Sequence, residues 1–515
     1  MGEPNIQLKT LPQGDRVMPS PSRGSLAGGL LTEKSNRDES EMAFFGKKQQ
    51  LKRKFGFISI LGLTCTLMIT WEGILTVFAP GLANGGPSGL VYGYIVVVTG
   101  TMLQTLTMAE MASMIPLSGG LLFLLLDPAQ RWVTVIGWQA ATTSSTFLAA
   151  TMIQGLAVLN YPQYTPQPWQ AVLLLYAVLA FATFINTFFA SQLPAVESLI
   201  LIVHILGFFA ILIPLVHLAP HGSASDVFNT FLNEGDWNTT GLAFFIGLLT
   251  SVFALLGVDA AAHMAEEIQN ASTVIPWSMV STVVINGVLG FAMLVAILFC
   301  AGDIADALKT PTGFPFIEIF NQATGSIGGA TGMTVIIVLA QILACIGLLA
   351  TASRMTWAFA REKGLPGYGL LAWVEPRTAL PLWSIGLTMM ITVLLALIDL
   401  GSSTALNAVL SLVTAGFYSS FLIAGVVLLV KRLREPAEIR WGPFKLGVFG
   451  LPINILSILW TVTGIFFSFW PTTETVTPVS MNWSILVFGA TVLLSTVFWF
   501  AHSRKVYTGP IVEVS

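Results

Sequence analysis

The stretch GVDAAAHMAEEIQNASTVIP, Gly257 to Pro276, sets Asp259, His263, Glu266 and Glu267 within nine residues of a chain that is only 10% charged. Residues 241–256 before it carry no charge, and neither does the run from Trp277 to Gly302 after it. Four ionisable groups between two segments suited to lipid pose the question of what the segment does there.

Composition gives the class. With 54% hydrophobic residues and a mean hydropathy of +0.79 over 515 residues, the chain has more apolar surface than soluble cores would hide. It reads as an all-α polytopic membrane protein. A net charge of −3, with basic residues scattered over many loops, excludes a nucleic-acid partner. Cys65, Cys300 and Cys345 all lie in apolar runs, so neither a disulfide framework nor a metal cluster is expected, and nothing calls for a cofactor. A bilayer core of roughly 30 Å needs about 20 apolar residues per helix. Twelve transmembrane helices are expected on that basis, at 57–83, 88–112, 132–159, 169–190, 195–217, 240–262, 277–300, 333–358, 381–400, 404–430, 450–470 and 483–502. Residues 1–50, rich in Ser, Gly, Pro and charge, read as a disordered tail, and 503–515 as a second, short tail. All but Lys309 of the 23 Lys and Arg fall on one side of this topology, which places both termini in the cytoplasm.

Irregular backbone at membrane depth is tolerated only where it lines a protein cavity, and paired interruptions in two halves mark a binding site. The first span contains MITWEGILTVFAPGLANGGP, residues 68–87, with Glu72 and Gly73 at mid-span; the sixth contains FALLGVDAAAH, residues 253–263. They lie five spans apart, and since five is odd the second block of five runs opposite to the first. An inverted five-helix repeat follows, with 51–217 as one repeat, 240–430 as the other, broken helices one and six, and two additional helices over 450–502.

The pieces NGGPSGLVYG (84–93), AEMASMIPLSGG (109–120), HMAEEIQNASTVIP (263–276), WAFAREKGLP (357–366), SSTALNAVLS (402–411) and WGPFKLGVFG (441–450) occur in that order. By them the chain, over about residues 50 to 505, resembles the amino acid–polyamine–organocation transporters, and within them the fungal amino acid/choline permeases. One stretch departs from that family: Leu121–Ile136 is shorter than its usual counterpart, which leaves the start of the third span open.

The resemblance implies that span six unwinds around Leu255 to Asp259 and resumes as a half-helix, with Gly257 allowing conformations that a Cβ resists. Asp259 suits a cap on that half-helix or a direct part in substrate or proton handling, since an acid within a span is costly. His263 follows four residues later on the same face, as a packing residue or a ligand. Glu266 and Glu267 read as a solvated or Arg-paired helix exit, and Arg354 and Arg361 as interface anchors. In span one, Gly73 and Ile74 would open an outer half-helix whose N–H groups suit a carboxylate. Carbonyls over Met68–Thr70 and from Phe253 to Leu256 suit an ammonium group. Trp71 either covers a cation or packs, and Glu72 either fills the anion site or attracts a cationic nitrogen. Span three is dense in small and hydroxylated residues, with Gln139 or Thr142 as candidates to face the cavity.

The sequence has no phosphate-binding Gly-Lys-Ser/Thr loop, no His-Glu-x-x-His and no nucleophile elbow, so a secondary transporter is expected and an enzyme is not. A permease-like nutrient sensor is the alternative from another class. The expected substrate is an amino acid or a related amine such as 4-aminobutyrate, with choline or a polyamine as the alternative, moved by alternating access. Thr351 and Ser353 would admit sodium, but the resemblance favours protons, with Glu72, His204 and Asp259 as candidate groups. An imidazole, titrating at about 6.5 when unperturbed, suits that task. The plasma membrane is the expected location, with the vacuolar membrane as the alternative.

Overall fold

In the computed structural model the described residues are 38, 40–118, 128–302, 304–400, 405–478 and 480–503. Phe57–Met68 (α1) contains only 12 residues, about 18 Å of helix, too short to cross a bilayer. It stops because Ile69 adopts the left-handed conformation, φ 38 and ψ 49. For a β-branched residue this costs about 1–2 kcal/mol, so the surroundings must impose it. They do so through backbone bonds on both sides: the Ile69 N–H donates to Cys65 O at 3.1 Å, and the Gly73 N–H to Ile69 O at 2.6 Å. The chain resumes as Thr70–Thr76 (α2) and, after a second irregularity at Val77, as Phe78–Ala83 (α3). The break therefore lies four residues before Gly73, and the expectation that Gly73 and Ile74 open the half-helix is corrected: both lie inside α2.

Four long helices follow, Gly86–Met114 (α4), Pro128–Asn160 (α5), Pro168–Phe188 (α6) and Leu193–Leu218 (α7). Thr240–Phe253 (α8) then ends within the bundle, and Ala254 to Asp259 cross it without regular structure. Gly257 has φ +94, and a Cβ there would lie 2.6 Å from Leu67 Cδ2, so conformation and space both demand glycine. Only one turn, Ala260–His263, and a 3₁₀ turn, Ala265–Glu267, stand where a half-helix was expected. Asp259 does not cap that turn. Its φ of −79 and ψ of −1 are helical, whereas a capping side chain folds back from extended backbone.

The longer of the remaining helices are Ala271–Phe299 (α9), Ile327–Arg361 (α10), Leu382–Ala396 (α11), Ala405–Arg434 (α12), Gly450–Ser468 (α13) and Ser484–Phe498 (α14). No strand forms among the described residues. Ten helical stretches there are long and apolar enough to cross a membrane, and α8 and α11, at the expected sixth and ninth spans, are shorter. The sixth is cut by its break; the ninth tightens into a 3₁₀ turn, Leu397–Leu400. α1 packs against α7, α9 and α10, α4 against α9 and α13, and α5 against α10 and α12. α7 turns Leu199, Ile202, Leu206 and Ile213 outward, an apolar face suited to lipid.

Residues 119–127, the start of the shortened stretch, and 504–515 lie outside the described residues, as does most of the first tail. Its last part is not a free tail, however. Met42 and Lys47 are buried, Gln49 Nε2 donates to Glu266 O at 2.8 Å, and the Lys54 and Phe55 N–H groups donate to Glu267 O at 2.8 and 2.9 Å. At this N-terminal end of the bundle Arg354 pairs with Glu267 and Arg361 with Glu266, both at 2.8 Å, and Glu362 takes Lys47 at 3.3 Å together with Arg131. Glu266 and Glu267 are thus buried and Arg-paired instead of solvated, with Arg354 and Arg361 as their partners. Burial pushes the Glu266 carboxyl above the usual carboxylate range, against the pull of Arg361.

Gly257→Ala is expected to lower stability by about 1–2 kcal/mol, because alanine resists a positive φ. Gly73→Ala, whose Cβ would meet Ala254 at an ordinary 3.7 Å, should be neutral or stabilising by up to about 1 kcal/mol. Thermal midpoints of the two purified variants check the contrast; equal midpoints would contradict it.

Candidate functional site

The two interruptions face each other across a small cavity. Span one contributes Leu67, Met68, Ile69, Gly73 and Thr76, and span six contributes Phe253, Ala254, Leu256 and Gly257. α5 adds Ala141, Ser145 and Leu148, α10 adds Gln341 and Leu348, and α12 adds Val413 and Phe417. The cavity holds about 50 Å³, room for a few waters, since each needs about 10–15 Å³ on the same measure. Its walls are mainly apolar with three polar side chains, the usual make-up of a small-molecule site. Gln341 Nε2 donates to Ser145 Oγ at 2.6 Å and leaves its own Oε1 without a partner. The Thr76 hydroxyl donates to Gly73 O at 2.8 Å.

Two buried carboxylate–imidazole pairs stand beside the breaks. Glu72 Oε1 lies 2.7 Å from His204 Nδ1, joining α2 to α7. Asp259 Oδ2 lies 2.9 Å from His263 Nε2, one turn apart. All four side chains are at most 2% exposed, and each pair leaves one carboxylate oxygen and one ring nitrogen unpartnered. Trp71 packs over His204 and Phe208, with ring centroids at 5.8 and 6.1 Å. Trp138 bridges His263 and Phe417 at 5.5 and 4.9 Å. Each pair can take up or release one proton while staying hydrogen-bonded, and each places a carboxylate near the irregular backbone.

Of the residues singled out from sequence, Gly73, Phe253, Leu256 and Gly257 line the cavity. Glu72 and Asp259 stand behind it in their histidine pairs. Thr70, Trp71 and Ile74 are buried without lining it; Trp71 is a packing residue against α7, and Thr70 sits against α9 near Gly290. Gln139 is also not brought in, since its amide donates to Thr356 and Thr388 at 3.0 and 3.1 Å and ties α5 to α10 and α11. Thr142 bonds to the Trp138 carbonyl at 3.0 Å, and Ser353 Oγ accepts from Arg354 at 3.2 Å. Ser145, Gln341 and Phe417 were missed. Gln341 could have been found as the single amide in the apolar run VIIVLAQILACIG, 335–347; nothing local marks Phe417.

Comparison with known proteins gives the family. The amino acid permease family model matches residues 55–491, and the chain belongs to that family, within the amino acid–polyamine–organocation superfamily. It is similar to the choline transporter of Saccharomyces cerevisiae, 31% identical over 88% of this chain and 82% of the relative. A putative amino acid/polyamine transporter of Macrophomina phaseolina is also 31% identical, over 82% of this chain and 96% of the relative. Amino-acid permease 2 of Neurospora crassa is 26% identical over 96% and 93%. The fold is accordingly the inverted-repeat permease fold with broken helices one and six. The protein is a multi-pass membrane transporter for amino acids or amines, and its activity is transport, not catalysis.

Breaking one member of a buried pair strands its partner, at a cost of about 3–5 kcal/mol, whereas replacing both costs less. Glu72→Gln and His204→Gln are each expected to lower thermal stability, and the double variant to lose less than their sum by about 1–3 kcal/mol. Additive losses in the purified proteins would separate the two residues.

Proposed function

We propose that the chain carries a small solute bearing a cationic nitrogen, an amino acid or a 4-aminobutyrate-like amine, by alternating access around the cavity between the two breaks, coupled to protons. The observation that carries this reading is the pair of carboxylates, Glu72 and Asp259, held beside the two interruptions with histidines as their only ionic partners among the described residues. Gly73, Phe253, Leu256 and Gly257 would wall the substrate, and backbone carbonyls of the two interrupted stretches around Ile69 and Leu256 would receive its ammonium. Thr70, Trp71, Ile74 and Gln139 would hold that wall in place. Glu72, His204 and Asp259 are the groups able to exchange a proton with the solute pathway.

Choline or a polyamine is a second reading, favoured by the similarity to a choline transporter. A permanently charged nitrogen would use the same carboxylates without donating a hydrogen bond. The distribution of Lys and Arg supports a cytoplasmic N-terminal end, so the ion pairs around Glu266, Glu267 and Glu362 would close the cytoplasmic exit. The plasma membrane is the proposed location.

Three outcomes are expected in cells overproducing the protein. Labelled amines and zwitterionic amino acids compete for uptake while a dicarboxylate without nitrogen does not, and Gly73→Leu reduces uptake about tenfold or more at unchanged surface abundance by filling the cavity. Uptake also rises from about pH 7.5 to about pH 5 outside, without a sodium requirement. Potent dicarboxylate competition, or uptake that needs sodium and ignores pH, would refute the substrate class and the coupling respectively.

A further inference from the structure

Glu197, in the second turn of α7, is a second buried carboxyl near the first break, and no sequence motif pointed to it. It is 1% exposed. Its Oε2 lies 3.3 Å from Thr66 Oγ1, three residues before Ile69, and its Oε1 has no hydrogen-bond partner. The backbones of α1 and α7 nearly touch here, since a Cβ at Gly62 would come within 2.5 Å of the Glu197 carbonyl oxygen. On the other side stands Gly347 of α10, whose absent Cβ would meet Oε1 at 3.5 Å. The carboxyl is wedged where α1, α7 and α10 converge.

Among the described residues no cation compensates it. The elements packed closely against α7 are α1, α9, α10 and the helix Pro315–Thr324. Their ionisable and charged groups are engaged elsewhere: Cys65 with Thr282, Cys345 with Gln341 O, Arg354 with Glu267, Arg361 with Glu266, and Glu318 with Gln322. Cys300, just past α9, bonds to Leu215 O near the opposite end of α7. On α7 itself His204 is held by Glu72, and His217 lies in the last turn. A permanent negative charge would be uncompensated there. A protonated carboxyl, by contrast, finds an acceptor in Thr66 Oγ1, whose own hydrogen has Gly62 O at 2.8 Å. Glu197 and His204 are seven residues apart, two turns along one face of α7, separated by about 10.5 Å along the axis. They stand on either side of the break at Ile69, one against α1 and the other against α2.

We infer that Glu197 is a second proton-binding site of the transport cycle, taking a proton relayed from the Glu72–His204 pair when α1 shifts against α7 and α10. The inference rests on the proton-coupled reading above. In the transfer, the His204 imidazolium loses its Nε2 proton to intervening water and the Glu197 carboxylate gains one, while the neutral imidazole keeps Nδ1–H on Glu72. No other bond changes.

Infrared difference spectra of the purified full-length protein between about pH 8 and about pH 5 test proton binding directly. Wild type is expected to show the carbonyl stretch of a newly protonated carboxylic acid that Glu197→Gln lacks. Identical spectra would overturn the inference, whether or not uptake by the wild type depends on pH. In proteoliposomes Glu197→Gln should lower the ratio of pH-driven uptake to substrate exchange by about tenfold or more, with partial recovery in Glu197→Asp. Equal loss of both activities in Glu197→Gln and Glu197→Asp would mark a structural residue and overturn the inference as well. Wild-type uptake indifferent to pH, with the Glu197-dependent band present, would instead refute the coupling and leave the proton site standing.

Discussion

A backbone N–H or C=O in hydrocarbon must find its partner within the protein, and this constraint governs the arrangement around Ile69 and Gly257. A break in a span exposes such groups, so it survives only where other helices exclude lipid. α1 and α2 are held by α7, α9 and α10, and the segment after α8 lies beneath Leu67 and beside Trp138. Asn286 of α9 donates to Cys65 O at 3.2 Å, an example of a neighbouring helix serving the interrupted one. The cavity is the space left because helix geometry stops on both sides of it.

Charge follows the same rule with a division of labour. At the N-terminal end the buried carboxylates pair with guanidinium groups, which stay charged at any physiological pH. Beside the breaks they pair with imidazoles, whose charge can change in that range. The first set can part only by movement of the chain, whereas the second can also be altered by a proton. Imidazoles thus stand beside the cavity and guanidiniums at the N-terminal end of the bundle.

Much of the fold was legible because lipid imposes long apolar runs, and the paired interruptions stood out as glycine and acid inside them. Gly257 was found for that reason, and its positive φ and contact with Leu67 give the physical cause. The carbonyls over Met68–Thr70 bracket Ile69, but intrinsic preference argues against a β-branched residue in the left-handed region, so the residue that makes the turn was not legible. The start of the outer half-helix is accordingly expected at the nearest glycine, whereas it lies at Thr70. The His204–Glu72 contact spans 132 residues and the Gln341–Ser145 contact 196, distances over which a local pattern carries no information. The stretch 40–55 misled for a related reason: its charge reads as solvated until the carboxylates that receive it are known.

The short length of α1 has a mechanical consequence. It is joined to α2 by a single left-handed residue, and its own start is bonded through Lys54 and Phe55 to Glu267 O. Glu267 in turn is fixed to α10 through Arg354. A swing of α1 about Ile69 therefore pulls directly on the ion pairs that close the N-terminal end, and it cannot occur while those bonds hold. The same swing shifts Thr66 relative to Glu197 and Leu67 relative to Gly257, because all of them sit within one turn of the hinge or against it. The N-terminal ion pairs, the wall of the cavity of about 50 Å³ and the buried carboxyl thus all bear on one short segment, α1.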